Sequence, residues 1–186
     1  MATVPNVKTV TYEEWLRMPE VTDAIEEVVK GEIRIMPAPN CSHTEIVENL
    51  HRLIASQVDW RRVWTVASQF DLIIRLHPLT ARVPDLAVFE KGTIIREDGR
   101  IHSAPQLVVE VLSPSNTRRE REEKLADYAA LGVPEAWIVS PEARTVEVLY
   151  LEEGRLRQVQ VLATQGILTP KHFPAVMVDI AAIWPE

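Results

Sequence analysis

Residues 106–115, QLVVEVLSPS, contain the segment on which the fold prediction depends. Five apolar residues there have the length and the β-branched content of a strand covered on both faces: Leu107, Val108, Val109, Val111 and Leu112. Glu110 interrupts this run at its centre. An isolated ionised carboxylate is costly in such surroundings. We therefore expect Glu110 to have either a charged partner or a chemical role.

The segment that follows this strand predicts a long helix. In RREREEKLADYAAL, residues 118–131, the apolar side chains lie on one side, and Gly132 with Pro134 marks the end. Thr117 and Glu120 have the spacing of a reciprocal N-terminal cap. An apolar strand, EAWIVS, comes next. The order of strand, helix and strand predicts a crossover, and hence an α/β or α+β protein with a central mixed sheet flanked by helices.

The rest of the chain supplies further elements of the same fold. Thr11 with Glu14 predicts a short helix to Arg17, and Ser42 with Glu45 predicts a longer helix to about Gln57. Hairpin turns are expected at residues 30–31 and 153–154, and a last short helix after residue 179. Strand patterns occupy parts of residues 63–76, 82–90 and 144–162. The C-terminal strands alternate apolar and polar residues, which predicts extra β-hairpins with one solvated face.

Length and composition limit the class of protein. With 186 residues, 46% hydrophobic and 25% charged, we expect a single domain over residues 1–186. The lone Cys41 excludes an intrachain disulfide, and no apolar run approaches the ~20 residues of a membrane span. The first residues do not have the pattern of a signal peptide. We therefore expect a cytoplasmic protein without a membrane partner. A net charge of −7 gives no general attraction to nucleic acid but permits a local metal site.

A second acid, Asp85, lies in the strand-like segment VPDLAVF, directly after Pro84. If its strand neighbours that of Glu110, the two carboxylates converge, and their repulsion raises one pKa unless a cation lies between them. Oxygen ligands without a Cys or His cluster favour Mg²⁺ or Mn²⁺. The backbone carbonyl of Val111 is a further candidate ligand. These residues predict a divalent metal site.

Lys124 is the expected cation of this site. From Glu110 the strand continues for roughly 13 Å at ~3.3 Å per residue, and the helix returns roughly 10 Å by Lys124 at ~1.5 Å per residue. Lys124 therefore comes back to about the level of Glu110. It also shares a helix row with Tyr128 and Leu131, which borders the side facing the sheet.

These segments together resemble a known family. VPDLAVF, LVVEVLSPS and EKLADYAALGVPEAWIVSPEARTVEVL, with EEVVKGEIRIMPAPNCSH upstream, are similar to the Uma-two family of restriction-endonuclease-like proteins, a branch of the PD-(D/E)XK nuclease superfamily. The resemblance implies that Asp85 and Glu110 bind metal, that Lys124 is the catalytic cation, and that the reaction is Mg²⁺-dependent phosphodiester cleavage. The wider superfamily keeps a lysine two residues after the glutamate, where this chain has Leu112. Glu27 matches an upstream acid of the family.

Simpler interpretations stand beside each of these assignments. Glu110 could form a buried ion pair with a lysine or arginine, and Asp85 could be a strand-end acid bonded to backbone N–H groups. The alternating charges around Lys124 are also typical of a solvated helix face. For His43 we expect a capping or solvent role. Glu27 is either a further acid of the site or a residue of an edge strand.

The functional hypothesis is an endonuclease that hydrolyses nucleic acid, with DNA as the expected polymer and a symmetric homodimer or higher oligomer as the expected assembly. Two alternatives remain open. The first is a nuclease-fold module that has lost catalysis and binds nucleic acid or protein. The second is hydrolysis of a glycosidic bond by Asp85 and Glu110, which requires carboxyl groups ~5 to 9 Å apart without metal.

Overall fold

The computed structural model describes residues 9–19, 21, 24–67, 69–114 and 116–185. The described residues contain three α-helices: α1 (Tyr12–Leu16), α2 (Cys41–Ala55) and α3 (Arg118–Leu131). Single turns of 3₁₀ helix lie at Lys91–Thr93 and Ile180–Ala182. The second of these turns corresponds to the short helix predicted after residue 179.

A six-stranded mixed sheet forms the centre of the fold. Its strands are β3 (Val63–Val66), β6 (Leu86–Glu90), β9 (Leu107–Val111), β10 (Glu135–Ser140), β11 (Thr145–Glu152) and β12 (Arg155–Ala163). Their order across the sheet is β12-β11-β10-β9-β6-β3. Strands β9 and β10 are parallel and are connected by α3, whereas the other neighbours are antiparallel. The predicted mixed sheet with one crossover helix is thus confirmed.

A second six-stranded sheet was not predicted from the sequence. It contains β1 (Ile25–Val29), β2 (Glu32–Met36), β4 (Leu72–Leu76), β5 (Leu79–Arg82), β7 (Arg96–Glu97) and β8 (Arg100–Ile101), in the order β2-β1-β5-β4-β8-β7. Residues 63–76, which the sequence predicted as strand, contain β3 of the central sheet and β4 of the second sheet. Local alternation predicts strands but does not reveal which distant strand each one pairs with. A small third sheet joins β13 (Ile167–Leu168) to β14 (Val178–Asp179).

Strand β9 is covered on both faces, as its apolar run predicts. Leu107 and Val109 pack in the same apolar cluster as Leu50 of α2. On the other face, Val108 packs with Tyr128 of α3. Because side chains alternate along a strand, Glu110 has the same facing as Val108 and is directed towards α3.

The ends of the helices follow the capping patterns with one exception. Thr11 and Thr117 form the predicted reciprocal caps of α1 and α3. The predicted cap at Ser42 is wrong, because α2 begins at Cys41 and its cap is Asn40, whose side chain accepts a hydrogen bond from the His43 amide at 2.9 Å. Asparagine and serine are equally good caps, so the spacing of a serine and a glutamate did not fix the first residue.

Both predicted hairpin turns are present. Residues 30–31 connect β1 to β2, and residues 153–154 connect β11 to β12. All four turn residues have positive φ, the conformation of the tight turns that suit twisted hairpins. None of the helices in the described part of the chain is both long enough and apolar enough to cross a membrane.

The cap of α2 can be tested by mutation. We expect Asn40→Ala to lower the free energy of unfolding by about 1 kcal/mol, because the His43 amide loses its acceptor. Ser42→Ala is the matched control and should change it by less than about 0.5 kcal/mol. Urea unfolding followed by circular dichroism measures both. A larger loss for Ser42→Ala than for Asn40→Ala would contradict the assignment.

Candidate active site

A cleft of about 310 Å³ opens where β6 begins and β9 ends. Both sheets and two helices contribute to its walls. Every residue that the sequence analysis assigned to the site lines it, namely Glu27, Asp85, Glu110, Val111 and Lys124, and His43 lines it as well. Apolar side chains and the prolines of residues 37–39 form much of the remaining wall. The cleft therefore combines a charged floor with an apolar surround.

Asp85 and Glu110 are brought together by the pairing of their strands. Leu86 of β6 pairs with Val109 of β9, and continuing this antiparallel register places Asp85 opposite Glu110. The two strands are neighbours, which is the condition that the sequence analysis set for the convergence of the two acids. Asp85 Oδ2 also accepts a hydrogen bond from the Val111 amide at 2.7 Å. The simpler interpretation of Asp85, a strand-end acid bonded to backbone, thus describes one of its contacts.

Both carboxylate oxygens of Glu110 have side-chain partners. The Tyr128 hydroxyl donates a short hydrogen bond to Oε1, and Lys124 Nζ lies 2.9 Å from Oε2. Only 8% of Glu110 is exposed. Burial raises its pKa to about 7, with repulsion from Asp85 and Glu27 adding to the effect of burial and Lys124 opposing it. Burial and the two neighbouring acids thus outweigh the attraction of Lys124.

Lys124 reaches the floor of the cleft from α3. Its ammonium nitrogen lies 2.9 Å from Glu110 Oε2 and 3.0 Å from Glu27 Oε1. The side chain is only 19% exposed, so the alternative of a solvated helix face does not apply to this residue. Burial disfavours the charged form, but attraction by Glu110 and Glu27 outweighs burial and raises the pKa of Lys124. Lys124 thus remains a cation at any physiological pH.

Glu27 is not a residue of an edge strand, because β1 lies between β2 and β5. It is 1% exposed and accepts from Arg82 Nη1 at 2.8 Å and from the Val83 amide at 3.2 Å. Burial acts to raise the pKa of Glu27, but the positive charges of Lys124 and Arg82 lower it below its ordinary value. Glu27 is therefore an ionised partner for both cations.

His43 differs from the expectation of a capping or solvent role. Its backbone amide receives the cap from Asn40, but its side chain is 13% exposed, with Nε2 at 3.2 Å from Asp85 Oδ2. Burial lowers the pKa of His43, and the hydrogen bond and charge of Asp85 outweigh burial and raise it. The amino end of α2 faces the cleft, which the sequence pattern of the helix did not reveal.

Three buried polar residues of this network were not assigned to the site from the sequence: Arg82, Asp127 and Tyr128. Asp127 and Tyr128 follow Lys124 by three and four residues, so all three lie on one side of α3. That spacing was an available signal, although Tyr128 had been placed only in the apolar row. Arg82 pairs with Asp127 across a separation of 45 residues, which no local pattern indicates.

The raised pKa of Glu110 predicts a pH-dependent stability. The folded protein holds the proton of Glu110 until the pH reaches about 7, whereas in the unfolded chain the carboxyl titrates near its ordinary value of 4.5. Between these values the unfolded state binds fewer protons, so stability falls as the pH rises. We expect the stability of the wild type relative to Glu110→Gln to decrease between about pH 5 and about pH 8, by at most about 3 kcal/mol.

Urea unfolding monitored by tryptophan fluorescence at the two pH values measures this difference. Glu122→Gln is a suitable comparison, because Glu122 also lies on α3 but its side chain is 61% exposed. Its stability relative to wild type should change little between the two pH values. A constant difference between wild type and Glu110→Gln would contradict the raised pKa.

Comparisons with known proteins agree with this architecture. A search of curated protein sequences finds no match. Among solved structures, the crystal structure of "a putative nuclease belonging to DUF820" from Anabaena variabilis has the same fold, with a TM-score of 0.77 and 24% sequence identity over 94% of this chain and 97% of that chain. The model of the Uma2 family, described as "Putative restriction endonuclease", matches residues 12–181. Because this match spans most of the sequence, the chain belongs to the Uma2 family, as its motifs predicted.

Proposed function

We propose that this protein is a metal-dependent nuclease that hydrolyses phosphodiester bonds of nucleic acid in the cleft. The observation that carries the proposal is the convergence of Asp85, Glu110 and Lys124 on one cleft floor, from β6, β9 and α3. Membership of a family described as restriction endonucleases supports it. We propose DNA as the first polymer to test.

The donor groups of the cleft fit a divalent cation that prefers oxygen. Asp85 and Glu110 offer two carboxylates on adjacent strands, and a cation between two such acids relieves their repulsion. Across the described ranges, no group of three His, Cys, Asp or Glu side chains is arranged to hold a metal ion. Mg²⁺ usually takes one or two carboxylates and completes its shell with water and substrate oxygens. We assign Asp85, Glu110 and the Val111 carbonyl as ligands of Mg²⁺ or Mn²⁺.

The protein groups have separate tasks in this proposal. A bound Mg²⁺ would polarise a phosphoryl oxygen and lower the pKa of a bound water. Tyr128 and Lys124 fix the two oxygens of Glu110, and His43 holds Asp85. Each contact restricts the rotation of a carboxylate at the site. The cleft thus presents its acids in one orientation before substrate arrives.

Lys124 has the additional task of contacting the substrate. An ammonium group has three N–H donors, and two of those of Lys124 are directed to Glu110 and Glu27. We assign the third to a non-bridging phosphate oxygen of the substrate. A fixed positive charge there stabilises the charge that develops on the phosphoryl group in the transition state.

Removing either proposed ligand tests the metal site. We expect Glu110→Gln and Asp85→Asn to reduce Mg²⁺-dependent cleavage by more than ~100-fold, because losing a ligand exceeds the roughly 10- to 100-fold cost of losing a contact to a ligand. Both variants should also weaken saturable Mn²⁺ binding in calorimetry. Glu135→Gln is the matched control, since Glu135 is fully buried in the neighbouring β10 and does not line the cleft.

The same measurements separate the alternatives. Cleavage of duplex, single-stranded and branched DNA, and of RNA, should be assayed with the folded wild type. Saturable Mn²⁺ binding without cleavage of any of these polymers would favour a binding module over a nuclease. Unchanged Mn²⁺ binding and cleavage in both ligand variants would overturn the assignment of Asp85 and Glu110.

Lys124→Met distinguishes the cation from the ligands. We expect kcat to fall about 100-fold or more, as when one donor to a developing negative charge is removed. Mn²⁺ binding should not weaken, because the substitution removes a positive charge that competes for Glu110. Lys30→Met is the control, since Lys30 has a 62% exposed side chain and pairs with Glu123 outside the cleft floor. Full activity of Lys124→Met would assign this lysine a structural role alone.

A further inference from the structure

We infer that Arg82 is a positioning residue that fixes Lys124 in the cleft by binding the two carboxylates on either side of it. The inference rests on the proposed function of Lys124 and goes beyond it, because Arg82 was not among the residues that the sequence assigned to the site. Arg82 acts through Glu27 and Asp127.

The contacts of Arg82 form a fork. Nη1 donates to Glu27 Oε2 at 2.8 Å, while Nε and Nη2 donate to Asp127 Oδ2 at 2.9 and 2.7 Å. The side chain is 3% exposed, so these bonds are shielded from water. A planar guanidinium can bind two carboxylates in fixed directions at once, which a lysine ammonium cannot do in the same geometry.

Each arm of the fork restrains Lys124 from a different side. Asp127 follows Lys124 by three residues and lies on the same side of α3, so the Arg82–Asp127 pair fixes the rotation of the helix at the turn that carries Lys124. Glu27, held by the other arm, lies 3.0 Å from Lys124 Nζ. The lysine is therefore positioned through its backbone and through its head group.

Charge balance gives the second reason for this role. Without Arg82, Glu27 and Glu110 would compete for the ammonium group of Lys124, while Asp127 would keep its contact with the partly exposed Arg75. Arg82 binds Glu27 and Asp127 and leaves Lys124 to bridge Glu27 and Glu110. A buried carboxylate that loses a partner draws in water or a neighbouring cation, and Lys124 already lies 3.0 Å from Glu27.

The chain order couples the same arginine to the proposed ligand Asp85. Arg82 ends β5, and only Val83 and Pro84 separate it from Asp85. The Val83 amide donates to Glu27 Oε1 at 3.2 Å, so the carboxylate that Arg82 holds also restrains the segment leading to Asp85. The contacts of Arg82 thus restrain both Lys124 and the segment that leads to Asp85.

The test uses Arg82→Lys, which keeps the charge without the fork, and Asp127→Asn, which removes the helix arm at nearly constant shape. Arg75→Met is the control: Arg75 also pairs with Asp127, at 3.0 Å, but its side chain is 40% exposed and its loss leaves the fork intact. Acylation of lysines by a short-lived reagent, followed by mass spectrometry, reports the access of Lys124. The exposed Lys91 in the same sample is the reference.

We expect Lys124 to be acylated at least about fivefold faster, relative to Lys91, in Arg82→Lys and Asp127→Asn than in wild type or Arg75→Met. Where cleavage is measurable, kcat should fall roughly 10- to 100-fold, which is the usual effect of removing a residue that supports a group of the site. KM should stay within about twofold of the wild-type value. In a Lys124→Met background the loss from Asp127→Asn should largely vanish, because that arm acts on Lys124 alone, and the loss from Arg82→Lys should shrink to the part that acts through Asp85.

Unchanged acylation of Lys124 in folded variants would overturn the inference, as would equal losses of kcat with and without Lys124. Loss of folded structure in both variants, seen by circular dichroism, would assign Arg82 a structural role only and also overturn it. The labelling experiment needs no catalysis. A wild type without nuclease activity would therefore defeat the proposed function while the labelling still decides the role of Arg82.

Discussion

The site depends on one constraint, the carboxylate of Glu110 inside a strand that is covered on both faces. Its neighbours along β9 pack against α2 on one side and α3 on the other, and only 8% of Glu110 is exposed, so little water reaches the charge. The carboxylate must then obtain its partners from the protein. Lys124 and Tyr128 provide them from α3, and this pairing sets how the crossover helix lies on the sheet.

The buried ion pair and the proposed metal site are therefore not exclusive alternatives. Lys124 and Tyr128 each bind one oxygen of Glu110, and a carboxylate oxygen can accept from more than one partner.

The part of the site that the sequence predicted is the part that regular local geometry connects. Glu110 and Lys124 are 14 residues apart, joined by a strand, a turn and a helix whose rises per residue are known. Asp85 was predicted on the condition that its strand neighbours β9; the structure meets this condition, and the register then places Asp85 opposite Glu110. The convergence of Asp85 with Glu110 thus depended on a strand pairing that the sequence left open.

The remaining residues depend on pairings that no local pattern contains. Arg82 meets Glu27 across 55 residues, within a second sheet whose strands look like any others in the sequence. His43 reaches Asp85 only because the amino end of α2 is aimed at the cleft, and the direction of a helix follows from tertiary packing. The prediction of the α2 cap was wrong for a local reason. Two equally good capping residues lie two positions apart, and the helix begins after Asn40.

The apolar residue at position 112 explains why the second sheet matters to the site. Position 112 directly follows β9, and a lysine there would face the same side as Glu110 where the alternation of the strand continues. Leu112 instead packs with the apolar cluster under α3. In the proposed site the cation comes from α3, so its position depends on how that helix packs on the sheet. Apolar contacts alone let a helix rotate slightly at low cost. The buried hydrogen bonds from Arg82 to Asp127 and Glu27 have fixed directions, so they oppose such a rotation. Because the lysine lies on α3 and not on the strand, its precise position depends on a charged contact between α3 and the second sheet.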